Sequence, residues 1–529
     1  MVAIGANGDR VSSGPWRARA RAWWALGAAR VILATQLLWL VGFSWVEFHR
    51  DALTRDFSMY NQATWMIAHG HIDPYDSVMG LQLWRNNGEF ILWPLSLLTY
   101  LPPEGLWLLW AQDLAIVVTG WVAVAWTAEF LRARPRAWWA GAGVVVATTL
   151  WAANPKVYST AAFDVHTEVF GACFALLAAR EFWRGRLKGA WVWLVLVLGT
   201  GFVASSYAAA LGLAVLTLGV RRERGEVSRR AGATVLVVAL AWMGVLELAH
   251  GNLASGLVSK YGYLSGVQHP DMLQMVTGVV AHPARVIAQL RRNQSNLWAN
   301  LAPSGFVGVL NPWGFWMAVP VTFADALVSG GNFASVGFQN FPAFAFVVFG
   351  SVVLWDRLMA ALRSKLLGVA LAGCVGLWAG VSGGAVLPRY GSYWLAVSPS
   401  AARTLAHVRE LVPARAEVVA SQGISGWFSS RSDIRVMMGL PYEVPVQGRA
   451  VYFVLSPTVG LQTTSSANTV ALEMWLEHSG ARVLVHQSDI WLFEMPVRGK
   501  AQSVLLPGAR SLCDWTGVLD LSAGGCYHD

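Results

Sequence analysis

Between Val31 and Pro388 the sequence carries a succession of apolar blocks, each approaching the ~20 residues that a helix needs to cross a bilayer. That single feature rules out most folds. Only 13% of the residues are charged and 55% are hydrophobic, whereas a soluble domain has about a quarter charged. The 12% aromatic content also excludes a disordered chain. The formal net charge is +9, but the basic residues fall in short runs between apolar blocks. This is the pattern of membrane topology rather than of nucleic-acid binding.

Basic clusters at Arg132/Arg134/Arg136, Arg180/Arg184/Arg186/Lys188, Arg221–Arg230 and Arg357/Arg363/Lys365 are expected on the cytoplasmic side. Crossings at 31–47, 106–130, 137–153, 161–180, 190–205, 207–220, 231–249, 296–311, 313–328, 341–355 and 366–386 satisfy this and make about eleven. The first block lacks a cleavage site and reads as a retained anchor. The expected organisation is a cytoplasmic basic N-terminus (1–30), a transmembrane domain (31–388) with outer loops 49–105 and 250–295, and an extracytoplasmic C-terminal part (389–529). Within the first loop, Phe90–Tyr100 is too short to cross and suits the membrane interface.

After Pro388 the pattern changes. Glu417–Ser421, Ile434–Met438, Ala450–Leu455, Ala481–Gln487 and Ile490–Met495 read as strands, and Thr469–His478 as an amphipathic helix. The expected fold class is therefore an α-helical polytopic membrane protein with a small C-terminal α/β domain. Cys513 and Cys526 lie in the outer tail, where an oxidising compartment and a Gly-rich intervening loop favour a disulfide.

Two polar sets stand out. Asp56 lies nine residues after the first expected crossing, close to the membrane surface. A carboxylate there can serve as a general base toward a hydroxyl or ligate a divalent cation, and a solvated acid paired with Arg55 is the plainer alternative. Asp164, His166 and Glu168 mark the outer end of the fourth crossing. If that stretch is helical, Asp164 and Glu168 share a face and His166 points away; acids at a helix start also favour the dipole. Asp113 lies within the second crossing, and Gln112 is one polar neighbour it could face. The pair His69/His71 reads as surface histidines before a turn rather than as metal ligands.

The run Arg55-Asp56-Phe57-Ser58-Met59-Tyr60-Asn61-Gln62-Ala63-Thr64-Trp65 resembles the opening motif of a bacterial predicted membrane protein family, domain of unknown function 2079. Gly88-Glu89-Phe90-Ile91-Leu92 resembles a second element, with Glu89 where the family has His. Asp164-Val165-His166-Thr167-Glu168 resembles a third. Asn311-Pro312, Ser421-Gln422 and Phe428–Arg431 follow the pattern too. That family in turn looks like the GT-C superfamily of polytopic glycosyltransferases.

The resemblance implies transfer of a sugar from a polyprenyl-phosphate-linked donor to an acceptor on the outer face. It implies catalytic roles for Asp56, Asp164, His166 and Glu168, with Asp56, Asp164 and Glu168 as the candidate ligands of any divalent metal. Glu89 joins the candidate substrate-binding residues, and Arg85, Lys156, Lys260 or Arg389 would hold the donor phosphate. The implied partners are the bilayer and a lipid-linked sugar donor. A non-catalytic envelope protein and a transporter or lipid-handling protein are the alternatives, the latter being expected to show internal repeats and deep acids.

Overall fold

The computed structural model describes residues 14–133, 137–218, 229–250, 257–267 apart from 259, 271–328, 338–362, parts of 370–378, 395–437, 442–445, 449–461, 466–497 and 503–506. In chain order the helices are α1 (Gly14–His49), α2 (Arg55–Ala68), α3 (Leu83–Asn86), α4 (Leu92–Leu95), α5 (Leu106–Arg132), α6 (Ala137–Ala152), α7 (Pro155–Ala161), α8 (Thr167–Trp183), α9 (Leu187–Leu198), α10 (Phe202–Leu218) and α11 (Arg229–His250). They continue with α12 (Met272–Ala281), α13 (Pro283–Arg292), α14 (Gln294–Leu301), α15 (Pro312–Ala326), α16 (Phe341–Leu362), α17 (Pro399–Leu411) and α18 (Ser466–His478). Trp23–His49, Leu106–Arg132, Arg229–Ala249 and Phe338–Met359 are long and apolar enough to cross a membrane, and three shorter apolar helices accompany them.

The sequence sets several helix starts by the same device. Asn154 and Asn311 each precede a proline and accept the backbone N–H two residues on, Lys156 N at 2.9 Å and Trp313 N at 3.1 Å. An Asn cap with Pro at the first helical position satisfies one orphan donor and removes another. Deep in the bundle Trp126 of α5 stacks on Phe349 of α16 at 3.8 Å and meets Trp313 of α15 edge-on. α10 and α11 approach so closely at Gly212 and Gly232 that a Cβ on Gly212 would stand 2.7 Å from Leu236 N and 2.9 Å from Gly232 O. Small residues let helix backbones touch where lipid supplies no hydrophobic drive.

Two of the expected crossings are corrected. The segment 296–311 is not one helix: α14 stops at Leu301, and short 3-10 turns at Ala302–Ser304 and Phe306–Leu310 follow, separated by Gly305 at φ +86°. Pro303 and Gly305 break the regular hydrogen-bond ladder. Asn293 donates to the Ala326 carbonyl at 2.8 Å, so the whole 294–326 excursion begins and ends on one face. It cannot alter the parity of the crossings. The segment 161–180 is also not a single helix, because α7 ends at Ala161 and α8 begins at Thr167. The expected crossing at 366–386 and the Cys513–Cys526 pair lie largely or wholly outside the described residues, as does Arg389.

The five tail segments read as strands form one sheet, in the order Ile434–Met437 (β2), Glu417–Ser421 (β1), Ala450–Leu455 (β3), Ile490–Pro496 (β5), Arg482–Gln487 (β4). β1, β2 and β3 run parallel, and β5 is antiparallel to both β3 and β4. One face packs on α17 through Leu405 and Val408, the other on α18 through Leu472 and Leu476. The helix α17 was not anticipated from the sequence.

This domain sits directly on the α2 loop. Asn61 donates to Ser429 Oγ at 2.8 Å, Gln62 to Ser432 O at 3.0 Å, and Trp427 N to Asp51 Oδ1 at 2.9 Å. The domain and the 49–105 loop are therefore packed together.

Candidate functional site

The site is built around the start of α2, a segment the sequence reading left as loop. Thr54, its N-cap residue, does not cap the helix with its own side chain. Asp164 does so from a distance, accepting Thr54 N at 2.9 Å, Phe57 N at 3.2 Å and the Thr54 hydroxyl. A carboxylate there meets both the orphan N–H groups and the positive end of the helix dipole. Asp164 has φ +46°, so the helical register in which Asp164 and Glu168 would share a face does not exist. Gln112 of α5 braces the bend, donating to Asp164 O at 2.7 Å and accepting His166 N at 2.7 Å. Asp113 turns instead to Ser44, 2.8 Å away.

The cap leaves Asp56, in the first turn of α2, facing His166. Asp56 Oδ2 is 3.9 Å from His166 Nε2, and His166 Nδ1 is 3.9 Å from Glu168 Oε2. The imidazole is held flat, stacked on Phe338 at 3.6 Å and on Phe163 at 5.4 Å, with Tyr60 edge-on. Burial pushes its pKa down to about 3, so the ring is neutral. Glu89 lies behind, accepting from Tyr60 OH at 3.0 Å, Thr167 Oγ1 at 3.2 Å and Asn87 Nδ2 at 3.3 Å. Burial and the nearby Glu168 raise it to about 8.

Of these carboxylates Asp56 is the accessible one, its side chain 27% exposed against 10% for Glu168. Burial raises its pKa, with Arg55 acting in the opposite sense. A partly exposed carboxylate of raised pKa beside a neutral imidazole has the chemistry to accept a proton from a hydroxyl. The three candidate metal ligands do not converge: Asp164 is spent on the cap, and among the described residues no group of three or more His, Cys, Asp or Glu side chains is placed to hold a metal ion. His69 is turned back to the Trp65 carbonyl at 2.7 Å and stacks on the Trp65 ring.

A cationic set adjoins the acids. Lys156 and Lys260 lie within electrostatic reach of Asp325, and Asn340 donates to Asp325. Burial lowers Lys156 to about 8, and Asp325 offsets part of that. The turn Phe338–Asn340 joins the two sets, with Phe338 on His166 and Asn340 on Asp325. Arg85 stands apart, exposed on α3. Glu89 is buried inside the hydrogen-bonded network rather than presented to a substrate. Asp325 was missed, although an acid closing an apolar block is a candidate by default. Thr54, Tyr60 and Phe338 were missed as well, and no local pattern marks them.

A helical bundle whose acid-and-lysine site opens beside a small α/β domain defines a polytopic membrane protein. The chain belongs to the predicted membrane protein family DUF2079, whose model matches residues 52–448. No curated protein matches it. Among solved structures it is similar to ArnT from Cupriavidus metallidurans bound to undecaprenyl phosphate, at 14% identity and TM-score 0.51, covering 88% of this chain and 98% of that one. It is also similar to the apo state of the same protein, at 13% identity and TM-score 0.47, covering 87% and 98%. At this identity the likeness establishes a shared fold.

Proposed function

We propose that this chain is a membrane glycosyltransferase of the GT-C type, moving a sugar from a polyprenyl-phosphate-linked donor to an acceptor on the outer face of the membrane. The observation that carries the reading is Asp56. It is the accessible carboxylate of the cluster, held by a helix cap against a neutral imidazole, with lysines alongside. Asp56 removes the acceptor's hydroxyl proton as the oxygen attacks the anomeric carbon, and the lipid phosphate leaves with the bond electrons. Lys156 and Lys260 are assigned to that phosphate, since ammonium groups stabilise the charge a departing phosphate gains. His166 and Glu168 orient Asp56.

The fold shared with ArnT, which binds undecaprenyl phosphate, supports this donor class. The reading includes an odd number of crossings, about eleven, with the N-terminus in the cytoplasm and residues 389–529 outside. It takes 1–30, 31–388 and 389–529 as the three parts.

The test is reconstitution of the full chain in liposomes with polyprenyl-phosphate sugars. Wild-type protein is expected to transfer sugar, and Asp56→Asn to lose about 10²–10⁴-fold while still folding. Undiminished transfer by Asp56→Asn would remove Asp56 from the mechanism. No transfer from any such donor would overturn the class.

A further inference from the structure

The segment between α11 and α14 lies on the same face as the site, tied there by Gln289 Nε2 to Val328 O at 3.1 Å, Asn293 Nδ2 to Ala326 O at 2.8 Å and Tyr263 OH to Leu327 O at 2.7 Å. Within it α12 and α13 are well-defined helices. Asp271 and Gln274 form a capping box at the start of α12, and Pro283 opens α13. Gly278 of α12 packs against Ser265, leaving no room for a Cβ. The opposite side of α12 is apolar yet open, with Leu273 71%, Val276 53% and Val280 79% exposed.

α13 is split lengthwise. At 100° per residue Val286, Ile287 and Leu290 fall on one side, Arg285 and Arg292 fall on the other, and Arg291 lies at the flank between them. None of its residues is buried within the protein. The spans place Arg132, Arg180 and Arg184 at their opposite ends, where Glu129 pairs with Arg180 at 3.2 Å and Arg184 at 2.8 Å. The three arginines of α13 are thus not part of the basic set that fixes topology.

We infer that the α12–α13 hairpin lies in the membrane interface, its apolar side in the acyl boundary and Arg285, Arg291 and Arg292 on the phosphates of anionic phospholipids. Three observations select the lipid surface as occupant. The hairpin runs without a break into α14, which packs against α15 in the bundle. Its open apolar side runs over both helices, through Leu273, Val276 and Val280 of α12 and Ile287 of α13, while the basic residues are confined to α13, whose split faces are the signature of a helix lying along a bilayer. Its charge complements a phosphate layer, toward which each basic side chain near the surface contributes favourably. The segment also carries Lys260 and packs on the chain just after Asp325, so lipid seating would hold the hairpin at the lipid-facing edge of the lysine set.

The experiment compares the full chain in nanodiscs of phosphatidylcholine alone with nanodiscs that also contain phosphatidylglycerol, by hydrogen exchange of residues 272–292. Exchange is expected to slow in the anionic discs by about fivefold for each arginine engaged. The slowing should be reversed by high salt and absent in the R285Q/R291Q/R292Q variant, with exchange in the 425–434 segment unchanged. A second variant, Leu273→Ser/Val280→Ser, keeps the charge and should speed exchange in both discs. Equal exchange in the two compositions would overturn the inference, as would a triple variant that responds like the wild type. The readout involves no sugar transfer, so it stands or falls separately from the proposed activity.

Discussion

The backbone N–H of Thr54 donates to Asp164 Oδ1 at 2.9 Å across 110 residues of sequence, and the Phe57 N–H joins the same carboxylate at 3.2 Å. An acid read from the sequence as catalytic is, in the folded protein, the cap of another helix. It fixes the first turn of α2 and with it the direction of Asp56.

Two substitutions separate the cap from chemistry. Asp164→Asn tolerates the positive φ and keeps one accepting oxygen, but turns an NH2 toward a donor that the second carboxylate oxygen now accepts, so it should lose part of the cap's stability and keep partial transfer. Asp164→Ala loses the cap and should cost about 1–2 kcal/mol, with transfer falling because Asp56 is no longer held. If Asp164→Asn abolishes transfer without unfolding, Asp164 acts chemically and the cap assignment is incomplete.

Glu89 sets a pH dependence. Burial, reinforced by Glu168, raises its carboxyl to about 8 in the folded protein, above the roughly 4.3 of an unfolded chain. The folded state holds a proton that the unfolded chain releases. The contribution to stability is therefore complete below about pH 4 and is lost as pH rises through about 8. Glu89→Gln copies the protonated form, so thermal melting of the variant should decline less between those limits. Parallel curves for both proteins would contradict a protonated Glu89.

The α10–α11 contact makes a paired prediction. Gly212→Ala places a Cβ 2.7 Å from Leu236 N, a backbone atom that cannot move alone. It should destabilise the detergent-solubilised protein by about 1–3 kcal/mol, the usual cost of overpacking. Gly244→Ala in α11, where a Cβ meets nothing within 4 Å, should be neutral or slightly stabilising. Equal melting temperatures for the two variants would show that the helices are not in contact there.

Gln62 ties α2 to the C-terminal domain. Its Nε2 donates to Ser77 Oγ at 2.7 Å and to Ser432 O at 3.0 Å, and its Oε1 accepts Ser77 N at 3.1 Å. Gln62→Ala leaves the buried Ser77 N–H without its acceptor and cuts the tie to Ser432 O, a loss of about 1–3 kcal/mol. Hydrogen exchange across 425–434 should speed up while the strands Ala450–Leu455 and Ile490–Pro496 keep their protection. Unchanged exchange would mean the domain is held elsewhere.

How much was legible follows from range. The membrane class and the five tail strands depend on residues close together in the chain, and the sequence located them; the Asn-Pro helix starts are equally local but were not read. The motifs also named Asp56, His166, Glu168 and Glu89, which the fold brings near one another. The reading failed where a partner is distant. α2 was taken for loop because its apolar residues, Phe57, Met59 and Tyr60, bury against the 49–105 loop and α5, which no local periodicity announces.

The sequence by itself determined that this chain enters a bilayer, since some twenty apolar residues in a row can satisfy their backbone only as a helix when no water is present. It also determined where Asn-Pro and Gly interrupt those helices, because capping and φ preferences belong to single residues. The tertiary structure decided which polar groups meet. Asp164 spent on the start of α2, His166 stacked on Phe338, and Lys156 and Lys260 gathered at Asp325 all join segments far apart in the chain. Their charge states and accessibility come from burial, and burial exists only once the bundle and the α/β domain have closed on α2.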